Sequence, residues 1–181
     1  SSHSSVHIRP SRPALWHVAG PPATGKRAAA PLVSLRREDR VTLFDTLLAY
    51  FEEDGWPLER VEGEPALVGL FSGERAQSSW NVYATALEAQ QRVIVYSILP
   101  VRVREEDMPR ASELLHRLNY GMVLGNFEID LDDGEIRYKT SIDVEGDRLS
   151  KALWMHVVAA NVLTVDRYLM AIREVLHLGR S

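Results

Sequence analysis

The segment Phe127-Glu-Ile-Asp-Leu-Asp-Asp-Gly-Glu-Ile-Arg-Tyr-Lys-Thr140 alternates apolar and polar residues on either side of Asp133-Gly134. Asp and Gly tolerate the positive φ angles of a tight two-residue turn, so the pair predicts a β-hairpin. Closing the turn there opposes residues whose numbers sum to 267. Leu131 then faces Ile136, Ile129 faces Tyr138 and Phe127 faces Thr140 on one side, while Asp130 meets Arg137 and Glu128 meets Lys139 on the other. A slip by one residue would turn the whole apolar set to solvent, so burial sets the register and the charge pairs refine it.

Helical periodicity flanks the hairpin. Met108, Ala111, Leu114, Leu115 and Leu118 share one face of a helix expected from about Glu105 to Asn119. After Glu145-Gly146, a long helix is expected from Ser150 to Leu178, with Val158, Val162, Val165, Leu169, Ile172 and Leu176 as its core stripe. Trp154, Val157, Met170 and Val175 widen its apolar surface beyond a single face. Upstream, Phe44, Leu47, Leu48 and Phe51 fall at helical spacing in a segment from Ser34 to Asp54, and Gly55-Trp56-Pro57 stops it. Three strand-like runs follow: Leu58 or Ala66 to Phe71, Ser79 to Leu87, and Arg92 to Ile98, with Pro100 closing the set. The expected fold is α+β: a five-stranded antiparallel sheet packed by three helices, in the order α-β-β-β-α-β-β-α.

Three segments, Leu114-Leu-His-Arg-Leu-Asn119-Tyr120, Leu124-Gly-Asn-Phe-Glu-Ile-Asp130 and Gly134-Glu-Ile-Arg-Tyr138, resemble the YbjN family. The topology extends that resemblance over Ser34 to Leu178. It implies the fold of type III secretion chaperones, a usually dimeric state, and a chaperone-like or regulatory role that works by binding another protein.

Composition narrows the function. The 181 residues contain no cysteine, which removes disulfides, thiolate metal sites and a cysteine nucleophile. No apolar run is long enough to span a bilayer, so no membrane association is expected and the cytoplasm is the expected location. Residues 1–34 carry Arg9, Arg12, Lys26 and Arg27 and no carboxylate, leaving 17 basic against 25 acidic residues in the remainder. An acidic body argues against nucleic-acid binding and suits a partner with a basic or flexible segment. Residues 1–33, rich in Ser, Pro, Ala and Arg, are expected to be a flexible tail ahead of a domain spanning 34–181. Within the tail, Gly20-Pro-Pro-Ala-Thr-Gly25-Lys26-Arg27 imitates a phosphate-binding loop. However, Arg27 stands where Ser or Thr must hold Mg²⁺, and Pro31 ends any following helix.

Other chemistry fails on spacing. His116, His156 and His177 have no second metal-competent residue three or four positions further on, apart from the poor pair His116–Tyr120. Asp130, Asp132, Asp133 and Glu135 do not match a calcium loop, because the twelfth position falls on Lys139 or Ser141. Gly69-Leu-Phe-Ser72-Gly73 has the wrong spacing for a nucleophile elbow. The expectation is therefore a protein that is not an enzyme and holds no metal or cofactor.

Surplus hydrophobicity points to binding instead. A sheet covered on one face alternates cleanly, yet Val93-Ile-Val-Tyr-Ser-Ile98 is apolar in both parities, and Trp80-Asn-Val-Tyr83 carries bulky groups on both sides. One parity is core, and the other is covered by the tail, a second subunit or a client. The candidate partner or dimer surface comprises Trp80, Tyr83, Val93, Ile94, Val95, Tyr96 and Ile98, with Trp154 on the last helix as a further candidate. The expected function is a homodimeric chaperone-like adaptor or regulatory protein. The alternative is a regulator sensing a small ligand in a pocket between sheet and helices.

Overall fold

The computed structural model describes residues 41–177. The expected tail, its Lys26 motif and the proposed start of the first helix at Ser34 lie outside the described residues. Helix α1 (Leu43–Glu53) begins at Thr42, whose hydroxyl accepts from the Asp45 N–H at 3.0 Å while the Asp45 carboxylate accepts from the Thr42 N–H at 3.2 Å. This reciprocal cap satisfies two donors that a helix start leaves free. A hydrogen bond donated by the Thr42 hydroxyl to the Asp45 carboxylate at 2.7 Å, together with that from the Thr42 N–H, holds the Asp45 carboxyl below its ordinary pKa.

Six strands, β1 (Glu59–Arg60), β2 (Ala66–Gly73), β3 (Ser78–Leu87), β4 (Arg92–Arg102), β5 (Asn126–Ile129) and β6 (Glu135–Asp143), form one antiparallel sheet in the order β1-β2-β3-β4-β6-β5. The sixth strand, beyond the five expected, is β1, a two-residue pairing of Glu59 and Arg60 with Val68 and Leu67. It is too short and too polar to leave a periodic trace. Pro100 does not close the set: β4 runs through it to Arg102, and the ladder to β6 is irregular between Ile98 and Arg102. A proline has no N–H to donate, which suits an interrupted ladder.

The 127–140 hairpin forms, but two residues away from the expected register. Phe127 pairs with Tyr138, Glu128 with Arg137 and Ile129 with Ile136, so the paired numbers sum to 265. The turn is wider than two residues. The Asp130 N–H donates to the Glu135 carbonyl and the Gly134 N–H to the Asp130 carbonyl, both at 2.9 Å, with Gly134 at φ +74°. The physical reason lies in period two: a slip by two residues keeps every side chain on its face, so burial does not discriminate between the registers. Turn chemistry decides, and Leu131 becomes a 67% exposed loop residue instead of facing Ile136.

Helices α2 (Met108–Asn119) and α3 (Lys151–His177) complete the fold. All three helices pack on the sheet face that carries Val82, Ala84, Val93, Val95, Ile136 and Tyr138. α1 contributes Leu47 and Phe51, the latter edge-on to the Trp154 ring at 5.3 Å. α3 crosses β4 and β6 and buries Trp154, Val158, Asn161, Val165, Leu169 and Ile172. Gly73 lets the β2–β3 hairpin close beneath α3: a Cβ there would stand 2.2 Å from Asp166 Oδ1 and 2.7 Å from the Trp80 ring.

Candidate protein-binding surface

Strand alternation divides the sequence candidates into two groups. On β4, Val93, Val95, Ser97 and Leu99 point at the helices, whereas Ile94, Tyr96 and Ile98 point away and are half-buried. On β3, Trp80, Val82, Ala84 and Ala86 are core, whereas Asn81, Tyr83 and Thr85 point away. Trp80, Val93 and Val95 are thus not surface residues, with exposures of 2, 0 and 0%. Trp154, at 0%, is not one either: it lies on the sheet-facing side of α3 against Phe51, with its Nε1 unpaired among the described residues. Large apolar side chains on the helix-covered parity have lower free energy inside, and their size had made them conspicuous in the sequence.

The outward set is brought together by the ladder. Tyr83 stands opposite Tyr96, Thr85 opposite Ile94 and Asn81 opposite Ile98. On the far side of β3, Val68 stands opposite Tyr83, and Leu70, 67% exposed, opposite Asn81. Val68 and Leu70 were missed as surface residues. Their signal was present in the sequence, where Val68 and Leu70 share one parity of the run from Ala66 to Phe71. Among the described residues no helix covers this face.

A charged frame borders the patch. Tyr96 also stands opposite Lys139, and Ile98 opposite Arg137. The Arg137 guanidinium lies 4.6 Å over the Tyr96 ring and donates through Nε to Glu128 at 2.7 Å, while Lys139 Nζ donates to the other Glu128 oxygen. Burial works to raise the Glu128 carboxyl, but the hydrogen bonds and charges of Lys139 and Arg137 outweigh it and hold it below its ordinary value. Further along, burial pushes Glu135 up against the opposing pull of Arg102. Burial, with the Glu135 charge, likewise raises the Tyr83 hydroxyl. The patch is apolar in the middle and ion-paired at its edge, the anatomy of a surface that excludes water at its centre.

Other sequence features resolve structurally. The acidic run of the hairpin caps its own turn: Asp130 Oδ1 accepts from the Asp132 N–H and Asp133 Oδ1 from the Glu135 N–H. Arg102 also reaches Asp133 and Glu135, at 2.5 and 3.1 Å. His116 and His156 are exposed. Among the described residues no cluster of three His, Cys, Asp or Glu could hold a metal ion, and no helix is long and apolar enough to cross a membrane.

Structural comparison places this fold beside YbjN from E. coli, at 12% identity and a TM-score of 0.56, covering 74% of this chain and 93% of that one. The ExsC-ExsE complex matches at 11% identity and a TM-score of 0.48, with 72% and 96% covered. The HopA1-SchA chaperone-effector complex matches at 19% and 0.45, with 69% and 91% covered. No curated protein matches the sequence. Residues 43–174 match the family described as "Putative bacterial sensory transduction regulator", so the chain belongs to the YbjN family.

Proposed function

We propose that the protein is a non-enzymatic, chaperone-like adaptor or regulator that binds a segment of another protein on the open face of its sheet and works as a homodimer in the cytoplasm. The observation that carries this reading is the outward set Tyr83, Ile94, Tyr96 and Ile98, contiguous across β3 and β4 and uncovered among the described residues. A solvated sheet face ordinarily alternates to polar residues, so an apolar one stabilises contact with something else. The ion-paired border of Glu128, Arg137 and Lys139 would orient a partner without supplying chemistry.

The test is affinity capture from native lysate, read by mass spectrometry, with the parent chain beside Tyr96→Asp and Ile94→Asp. A protein retained by the parent and lost by both variants supports the reading. Retention by all three would place the binding site elsewhere. Saturable binding of a small molecule, with no protein retained, would favour the ligand-sensing regulator.

A further inference from the structure

The solvent side of α3 lacks the polar character of an ordinary surface helix. Leu153, His156, Ala160, Leu163, Arg167 and Met170 lie opposite the buried stripe, and four of these six are apolar. Leu153, Leu163 and Met170 are 43, 61 and 45% exposed. Their spacing is three, four, three, four and three residues. That 3.5-residue repeat keeps a seam turned toward another helix along its length, whereas a helix facing water needs no such repeat.

The middle of this stripe forms the floor of a groove of about 840 Å³. Ala159, Ala160, Leu163 and Arg167 contribute from α3, Gly73 to Arg75 from the β2–β3 turn, and Gly121 to Leu124 from the loop after α2. Small residues at Gly121, Ala159 and Ala160 leave room for close backbone approach. Beside the groove Tyr120 and Val123 are 97 and 95% exposed, and Leu124 60%. Such exposure of large apolar residues extends the stripe into one continuous apolar surface.

We infer that this surface takes the α3 helix of a second copy, packed antiparallel across a two-fold axis. This inference rests on the homodimer reading above and names its interface, leaving the open sheet face to the partner protein. The stripe is self-complementary in that arrangement. Leu153 falls opposite Met170 of the second copy and Ala160 opposite Leu163, each layer occurring twice. His156 meets Arg167 in a single kind of polar layer, the device by which paired helices fix one register. Glu174 then lies beside the N-terminal turn of the other helix, whose free N–H groups favour a carboxylate. The stripe spans about 25 Å of helix. With the loop and groove residues it offers roughly 15 residues a side, near the lower end of about 1,200 Å² for a specific interface, so the dimer should depend on concentration.

Light scattering across a micromolar concentration series, with Leu163→Glu as the variant, tests the arrangement. The parent should approach twice its 20.4 kDa mass, and Leu163→Glu should halve it while still melting cooperatively, because Leu163 is mostly exposed and only the stabilisation from association is lost. The chain has no cysteine, so a double variant, L153C with M170C, should give a covalent dimer on oxidation and none when denatured first. A parent dimer that Leu163→Glu leaves intact, or that the cysteine pair fails to cross-link, overturns this interface while the homodimer stands. A parent that is monomeric throughout overturns both.

Discussion

The Ser97 hydroxyl donates to Asn161 Oδ1 at 2.6 Å, and both residues are completely buried between the sheet and α3. The contact belongs to a wider network. Trp80 Nε1 donates to Ser97 Oγ at 3.0 Å, and the Asn161 amide donates to the carbonyls of Val95 and Tyr138 and to Thr140 Oγ1, at 3.0, 3.1 and 3.2 Å. Thr140 in turn donates to the Val157 carbonyl on α3 at 3.0 Å. A satisfied buried network fixes one docking position for α3 across β4 and β6, where apolar packing alone would tolerate sliding.

Substituting Asn161 should therefore be costly, with an informative order. Asn161→Ala leaves buried groups unpaired, and each such group costs about 1–3 kcal/mol. Asn161→Asp should be worse at neutral pH, because a carboxylate has no donor for the carbonyls of Val95 and Tyr138 and carries an unpaired buried charge. Urea unfolding would check this. A midpoint for Asn161→Asp at or above that of Asn161→Ala would refute the order, and midpoints equal to the parent's would show that the amide N–H bonds do not matter.

Gly134 is held by backbone geometry and by a neighbour. Its φ is +74°, and a Cβ would stand 2.0 Å from the Val103 carbonyl, whose own N–H donates to the Gly134 carbonyl at 2.9 Å. Gly134→Val should lower stability by more than about 1 kcal/mol through backbone strain alone. The close contact adds to it. A denaturant curve superposing on the parent's would refute this placement of the turn.

Glu128 links stability to pH with a definite sign. Its folded pKa is depressed by Lys139 and Arg137, so its contribution is present above the unfolded value and lost as pH falls through the folded one. Glu128→Gln should be less stable than the parent at pH 7, and the gap should close below roughly pH 4, the unfolded carboxylate range. Glu135, pushed up by burial, contributes with the opposite sign, so the parent-minus-variant difference is the quantity to follow. A gap constant from pH 7 to pH 3 would contradict the ion-pair account.

How much of this was legible in the sequence depended on what each feature responds to. Strands β3 and β4 were legible as strand-like runs bounded by turn residues, whereas helices α2 and α3 carry strong periodicity, which is a direct imprint of one buried face. The hairpin's faces were legible for the same reason. Its register was not, because period two makes a two-residue slip silent to burial and leaves the choice to hydrogen bonds around Asp130 and Gly134. Asn161 was invisible as a core residue: only its tertiary partners Ser97 and Thr140 make burial of an amide favourable. For the binding surface, alternation on β4 identified two parities of nearly equal hydrophobicity. Which one the helices cover is decided by long-range packing that no local pattern encodes.

That parity supplies the sharpest prediction, because neighbouring residues on one strand should respond oppositely to the same change. Val95 is 0% exposed beneath α3, and Ile94, next to it, is only half-buried on the open face opposite Thr85 and Ser141. Val95→Asp places a carboxylate where neither water nor a counter-charge reaches it, beside the Asn161 amide. Burying an unpaired charge costs several kcal/mol, a large part of the roughly 5–15 kcal/mol that keeps a domain folded. Circular dichroism and thermal melting should show that variant largely unfolded or strongly destabilised. Ile94→Asp keeps its carboxylate within reach of solvent and gives up only part of a side chain's burial, about 1 kcal/mol or slightly more. It should melt cooperatively near the parent. The pair also separates folding from binding, since only a variant that stays folded can report the loss of a partner. Unfolding by both substitutions would mean that residues beyond the described ones cover the open face, making it a second core. Tolerance of both would mean that α3 does not seal the face on which Val95 lies, and the parity assignment would be wrong.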